Sequence, residues 1–177
     1  MTIDLINSVL TKILGTEGGL AEHPKDRGGV TAWGLTKPFL LTVTGREWSD
    51  DDVRGLSRDR AMAIYKLWLA MRRLDQLPED YLLSWVVIDF AVIANERRAI
   101  RAVQKYLGVT PDGIAGAETQ GAWHRLSQDE RTCAAAFVVA ERCVHHFNDM
   151  AANPDQAVAF GRGWGQRLAE QIRACAA

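Results

Sequence analysis

Residues 16–36 read TEGGLAEHPKDRGGVTAWGLT, and this stretch interrupts an otherwise helical pattern. Its glycine pairs, Gly18-Gly19 and Gly28-Gly29, permit positive φ angles and close approach of the backbone. The spacing of apolar residues that is typical of a helix is lost throughout the stretch. The sequence therefore predicts a specifically shaped loop or a small β-hairpin here.

Helical patterns flank the glycine-rich stretch on both sides. Upstream, apolar residues at 6, 9, 10, 13 and 14 follow the spacing of one helix face, with Thr2 as a cap and Gly15 as an early stop. Strand-like alternation is nearly absent elsewhere, so any sheet should be confined to the glycine-rich stretch. Downstream, helical patterns cover residues 57–72, 79–94, 96–107, 117–127, 129–151 and 155–174.

The composition is that of a soluble globular protein. The chain has 177 residues, of which 47% are apolar and 24% charged, and this excludes disordered, collagen-like and coiled-coil classes. Because 21 basic residues balance 22 acidic ones, the net charge of −1 gives no general reason to expect nucleic acid or an anionic membrane as partner. No apolar run is long enough for a membrane span. We expect one compact, monomeric body.

The N-terminal residues and the cysteines bear on the compartment. Met1-Thr2-Ile3-Asp4-Leu5 lacks the basic region of a signal peptide, so we expect synthesis in the cytoplasm without a cleavable export signal. The odd set of Cys133, Cys143 and Cys175 matches no zinc or redox spacing and predicts reduced thiols, with Cys133 and Cys143 in the core. His145-His146 has no further ligands at metal spacing and is interpreted as a partly exposed pair, so no metal is implied.

Glu17 is the candidate general acid. It follows Ile13 and Leu14 by four and three residues, so a continuing helix would project its carboxylate from the apolar face. Desolvation there would raise the carboxyl pKa, as a general acid near neutral pH requires. The alternative is a helix-end glutamate that points to solvent.

Asp26 and Thr31 complete a candidate hydrolytic site. In an inverting glycosidase, the acid protonates the leaving oxygen, and a carboxylate about 6.5–9.5 Å away activates a water. Asp26 could be that carboxylate, and the Thr31 hydroxyl could help to hold the water. The rival carboxylate is Glu22, and the structural alternative is that Asp26 and Thr31 only close the turn.

The same stretch resembles the signature of the glycoside hydrolase family 108 muramidases, which occur as phage endolysins and as murein hydrolases of bacterial secretion systems. The resemblance lies in Glu17-Gly18-Gly19 and in the run HPKDRGGVTAWGLT at residues 23–36. It implies that Glu17 is the catalytic acid. The step from Glu17 to Asp26 also resembles the Glu, Asp and Thr triad of phage lysozymes, which implies catalytic roles for Asp26 and Thr31. Gly29 is expected to contact substrate.

A second resemblance lies in AIRAVQKYLGV at residues 99–109, followed by Asp112-Gly113 and Thr119. It is similar to the predicted peptidoglycan-binding segment of the same family, and this implies substrate contacts for Asp112 and Thr119. The residues themselves predict a helix, a turn and a helix, so a purely structural role is the alternative. We expect a muramidase catalytic region over 1–92 and a peptidoglycan-binding-like helical region over 93–177.

Aromatic and basic residues suggest further contacts. The Trp33 ring could stack on a sugar, whereas Trp68 and Trp85 should lie in the core. Arg97, Arg101 and Lys105 recur at four-residue steps, flanked by Arg98, and could face the carboxylates of murein peptides, although a solvated helix face is the alternative.

These features and the resemblance together predict a mainly α-helical, lysozyme-like glycosidase that needs no cofactor. It would cleave the β-1,4 bond after N-acetylmuramic acid in peptidoglycan, acting in the periplasm after release by a holin or a secretion system. Two alternatives stay open. One is a lytic transglycosylase that uses the same glutamate, and the other is a non-catalytic murein-binding or secretion-accessory module.

Overall fold

A computed structural model of the chain describes residues 1–17, 19–22 and 29–177, with the backbone alone at positions 16, 17, 156, 159 and 160. Its residues form two compact units, Met1–Gln76 and Leu77–Ala177. The fold is mainly helical with one small antiparallel sheet, as the sequence predicts. Among the described residues, no helix is long and apolar enough to cross a membrane.

The first unit is built on helix α1 (Ile3–Glu17). Thr2 caps it as predicted, because the Leu5 N–H donates to the Thr2 hydroxyl at 3.3 Å. The expected stop at Gly15 is wrong, since the helix continues to Glu17. Burial of the apolar stripe through Leu14 outweighs the roughly 1 kcal/mol propensity cost of one helical glycine.

Three further helices complete this unit: α2 (Lys37–Thr44), α3 (Asp50–Arg54) and α4 (Arg58–Met71), followed by a 3-10 turn at Leu74–Gln76. Helices α2 and α3 were not predicted from the sequence, because with eight and five residues they show little helical periodicity. Their caps were readable, however. Thr36 accepts from the Phe39 N–H, and Ser49 forms a capping box with Asp52.

The sheet lies in the glycine-rich stretch, as predicted. Strands β1 (Leu20–Ala21), β2 (Thr31–Ala32) and β3 (Leu35–Thr36) pair antiparallel in that order. Leu20 pairs with Ala32, and Ala32 pairs in turn with Leu35. Only Trp33 and Gly34 connect β2 to β3, at φ of 56° and 76°, and two successive positive φ angles are typical of a type I′ hairpin turn.

The second unit is entirely helical among the residues described. Helix α5 supplies its centre, because the nine residues from Leu83 to Ala91 are all buried, and α6, α8 and α9 pack against it. Most helix bounds agree with prediction to within two residues, but the pattern at 117–127 ends as a helix at Trp123. The helices are α5 (Tyr81–Ile93), α6 (Glu96–Leu107), α7 (Ala117–Trp123), α8 (Gln128–Ala152) and α9 (Pro154–Cys175).

Side-chain burial confirms part of the predicted core and corrects the rest. Trp68 and Trp85 are buried, as expected. Cys133 is exposed instead of buried, because it lies on α8 outside the face formed by Ala134, Ala135 and Val138. His146 is buried instead of partly exposed, one helical turn beyond the buried Arg142.

The predicted functional division after residue 92 stays a prediction, although the compact units divide after Gln76.

Candidate active site

Helix α1 ends where the sheet begins. Its backbone is helical through Glu17, and β1 starts at Leu20. The Gly19 carbonyl accepts a hydrogen bond of 3.0 Å from the Trp33 N–H. This bond ties the chain just beyond the helix to the β2–β3 turn, so the backbone at Glu17 is held next to a fixed hairpin.

Two of the three predicted catalytic side chains lie beyond what the structure describes. Asp26 is outside the described residues, and the Glu17 carboxylate is a side chain at a position where the backbone alone is described. The proximity of the two carboxylates therefore stays a prediction. Thr31 is the third member, and its environment is described.

Thr31 begins β2 and is paired with both neighbouring strands. Its register partners are Ala21 of β1 and Thr36 of β3. Its hydroxyl donates to the Gly29 carbonyl at 3.3 Å. This is the turn-closing bond of the structural alternative, yet the hydroxyl oxygen can still accept a hydrogen bond from a water. Gly29 itself has a φ of 68°, a value that favours glycine there.

Trp33 is fixed by hydrogen bonds on several sides. Besides its bond to Gly19, its indole N–H donates to the Leu56 carbonyl at 2.8 Å. Its own carbonyl accepts from the Tyr65 hydroxyl at 3.1 Å. The side chain is half-buried, the two backbone bonds fix the turn, and the bond to Leu56 orients the indole, as a sugar-stacking ring requires.

Glu22, the alternative catalytic carboxylate, is bound by Arg54, a contact that was not predicted from the sequence. The Arg54 Nε donates to Glu22 Oε1 at 2.7 Å, and its Nη1 donates to Asp51 Oδ1 at 2.8 Å. These two carboxylates raise the pKa of Arg54. Glu22 is therefore a paired carboxylate. Nothing in the sequence signals this contact, because the partners are 32 residues apart.

A polar cavity of about 360 Å³ also lies in the first unit. One wall is Trp48, whose ring carries the guanidinium groups of Arg46 and Arg60 at 4.4 and 5.2 Å from its centroid. Leu56, which binds the Trp33 indole through its carbonyl, also lines this cavity. Because Trp48 is almost fully buried beneath these guanidinium groups, the cavity presents charged hydrogen-bonding groups and not an open aromatic face. The cavity was not anticipated from the sequence.

In the second unit, Asp112 and Thr119 surround the buried amide of Gln104. Its Nε2 donates to Asp112 Oδ1 at 2.8 Å and to Thr119 Oγ1 at 2.9 Å, while its Oε1 accepts from the Gly113 N–H at 2.8 Å. The Gln104 donor, followed by the Ile114 N–H, lowers the pKa of Asp112. These bonds close the turn between α6 and α7, and a substrate contact by Asp112 or Thr119 stays a prediction.

Comparison with known proteins gives two family matches and a similar solved structure. Residues 10–94 match the family described as Glycosyl hydrolase 108, and residues 98–169 match the family described as Predicted Peptidoglycan domain. Among solved structures, the chain is similar to that of Brucella abortus SagA. The identity is 26% and the TM-score 0.76, over 98% of this chain and 95% of the other. No curated protein matches the chain.

The fold, the sheet within the glycine-rich stretch and these matches define a glycosidase that acts on peptidoglycan. Residues 10–94 of the chain belong to the glycosyl hydrolase 108 family.

Proposed function

We propose that this glycosidase is an N-acetylmuramidase of the lysozyme type, with Glu17 as its general acid. It cleaves the β-1,4 bond between N-acetylmuramic acid and N-acetylglucosamine. The observation that supports this best is the position of Glu17 at the end of α1, followed at once by the sheet that contains Thr31. A helix end and a short sheet together can place an acid and a water-holding hydroxyl on either side of a glycosidic bond.

In the proposed reaction, Glu17 protonates the oxygen that leaves the muramic acid. Asp26 accepts a proton from a water on the opposite face of the sugar, and the Thr31 hydroxyl orients that water. The pairing of Glu22 with Arg54 supports the choice of Asp26, because the Glu22 carboxylate is already engaged in an ion pair with the Arg54 Nε at 2.7 Å. The water-mediated route inverts the anomeric configuration.

The bond cleaved can be established from the products. Purified peptidoglycan is digested, and the new ends are reduced with borohydride. The masses of the fragments are then measured by mass spectrometry. A muramidase gives reduced N-acetylmuramic acid ends, and a glucosaminidase gives reduced N-acetylglucosamine ends. A lytic transglycosylase gives ends that resist reduction and are lighter by one water. Either of the last two results would contradict the proposal.

We also propose that the enzyme acts in the periplasm and depends on a partner, a holin or a secretion system, to reach it. The support is chemical, since a peptidoglycan substrate lies outside the inner membrane. Expression in the cytoplasm with and without an inducible holin tests this step. Lysis that needs the holin is expected, and equal lysis without it would contradict the dependence on such a partner.

A further inference from the structure

Helices α5, α6 and α8 of the second unit line an open cavity of about 260 Å³ that the proposed reaction does not use. Its floor includes the buried Phe90, whose ring lies 5.8 Å from that of His145. Basic side chains from α6 form one wall, and Glu141 of α8 lies opposite them. We call this cavity the α6 pocket.

The α6 pocket carries excess positive charge. Arg98, Arg101 and Lys105 follow one another at three- and four-residue steps, so they lie on the same face of α6. Lys105 is paired with Glu141 at 2.5 Å. Three cations and one carboxylate leave a net charge of +2 when His145 is neutral.

His145 is held as a neutral ring. The Arg98 guanidinium donates to its Nδ1 at 3.0 Å, so this nitrogen must be the unprotonated acceptor. Burial and the nearby charge of Arg98 both lower the pKa of His145, in agreement with that assignment. His145 therefore adds no charge at neutral pH, and it orients Arg98 along the pocket wall.

Arg101 is the cation left for a ligand. It makes no hydrogen bond or ion pair with the part of the chain that the structure describes, and its charge reaches Asp112 only through space. A guanidinium has five N–H donors in a planar fork that matches the two oxygens of a carboxylate. The pocket thus presents the planar guanidinium group of Arg101 beside the aromatic ring of Phe90.

The chemistry of peptidoglycan indicates which group would fit. Its N-acetylated glycan strand is neutral, whereas its peptide stems carry free carboxylates. We propose that the α6 pocket binds a carboxylate of a peptide stem, with Arg101 as the main ligand and Arg98 and Lys105 as supporting charges. This inference rests on the proposed peptidoglycan substrate. It assigns to the second unit the recognition of the peptide stem and not of the sugar.

A ligand without a cleavable bond tests the pocket separately from catalysis. N-acetylmuramyl-tripeptide, a single sugar with its stem, is titrated into the full chain by calorimetry or NMR. We expect it to bind, and we expect the analogue with amidated carboxyls to bind at least about tenfold more weakly. Product analysis of whole peptidoglycan is performed in parallel, so a wrong bond assignment and a wrong pocket give different results.

Matched variants identify the cation. Arg101→Gln should weaken binding of the tripeptide ligand about tenfold. Arg97, which the sequence grouped with Arg101 and Lys105, is exposed and does not line the pocket. Arg97→Gln is therefore the control, because it removes the same charge from the same helix outside the pocket. Glu141→Gln should strengthen binding, since it frees Lys105 from its carboxylate. This gain cannot come from damage to the fold.

The inference is overturned if acid and amide ligands bind equally, or if Arg97→Gln and Arg101→Gln weaken binding to the same extent. Weaker binding by Glu141→Gln would also overturn it. If Arg101→Gln lowers the melting temperature strongly, Arg101→Lys replaces it. That variant keeps the charge without the fork, and its affinity should lie between those of the parent and Arg101→Gln.

Discussion

At the scale of single residues, Trp33 shows how the sheet is held in an unusual conformation. Its φ of 56° lies in the left-handed region, which costs a non-glycine residue about 1 kcal/mol or more. Bonds to Gly19, Leu56 and Tyr65 offset that cost. A tryptophan is retained at a position that favours glycine or asparagine because its indole links the hairpin to the segment just before α4.

Glu17→Gln is the most direct test of the acid. The amide has the shape of the acid but cannot donate a proton to the leaving oxygen, so wall cleavage should fall by at least about 10² to 10⁴ while the fold is kept. Turbidity of purified walls measures cleavage, and circular dichroism checks the fold. Glu118→Gln, an exposed glutamate of the second unit, is the matched control. Activity of Glu17→Gln within tenfold of the parent would remove Glu17 from the mechanism.

Thr31→Ala separates a water-holding role from a turn-closing one. If the hydroxyl orients the attacking water, kcat should fall about tenfold or more with little change in KM. Loss of its bond to Gly29 alone would cost about 1 kcal/mol of stability and leave the rate per folded molecule intact. Thr31→Ser keeps the hydroxyl and should restore turnover, and Asp26→Asn should resemble Thr31→Ala. An unchanged rate in both Thr31→Ala and Asp26→Asn would exclude the triad.

The candidate site could be predicted from sequence only as far as it is local in the chain. Glu17, Thr31 and Trp33 belong to one continuous glycine-rich stretch, so their spacing alone predicts a shared site, and their functional roles stay a prediction. Arg54 reaches Glu22 across 32 residues, a contact that depends on where α3 packs. Periodicity carries no information about such a partner.

At the scale of elements, the long helices were predictable, and of the three shortest only α7 was, although its pattern ran four residues too far. Helices α6, α8 and α9 each have enough turns for apolar spacing to stand out, and α5 was readable as a long apolar run. Helices α2 and α3 have eight and five residues and depend on their caps. Thr36 followed by Pro38, and Ser49 followed by Asp52, are helix-start signals that predict both helices.

The turn between α6 and α7 depends on one glycine. Gly113 has a φ of 79°, and a Cβ there would lie 2.9 Å from the Arg97 carbonyl oxygen. Gly113→Ala should therefore destabilise the protein by about 2 to 3 kcal/mol, measured by chemical denaturation. Gly108→Ala is the control, because Gly108 has a similar φ of 68° but open space around it. Equal losses in the two variants would mean that backbone conformation, and not the contact, determines the cost.

At the scale of the whole molecule, the second unit is organised around a buried charge network. Arg142 of α8 contacts Asp89 of α5 and Gln171 of α9, and all three side chains are almost fully buried. Gln171 also donates to Asp89 at 3.0 Å. In the sequence, Asp89 was noticeable only as a polar residue in an apolar run. Its partners lie 53 and 82 residues away, so the network required the tertiary structure.

The same network predicts how stability depends on pH. His146 is 3% exposed, and its Nε2 accepts from Arg142 Nε at 3.2 Å. Burial, with Arg142 and His145 nearby, lowers the pKa of His146 from 6.5 to about 4. The unfolded chain therefore takes up a proton at a higher pH than the folded chain does. The contribution of His146 is complete above pH 6.5 and is lost as the pH falls towards 4, with a total of about 3 kcal/mol.

Denaturant unfolding at several pH values between 7 and 4.5 measures this effect by comparing variants. Carboxylates also titrate in this range, so the useful quantity is the difference between the parent and His146→Gln at each pH. Replacing the histidine should flatten the loss of stability below pH 6.5, because glutamine accepts from Arg142 without taking up a proton. His124→Gln removes an exposed histidine and should leave the parent's pH dependence unchanged. If His146→Gln and the parent lose stability in parallel, the buried histidine is not the group that limits stability in acid.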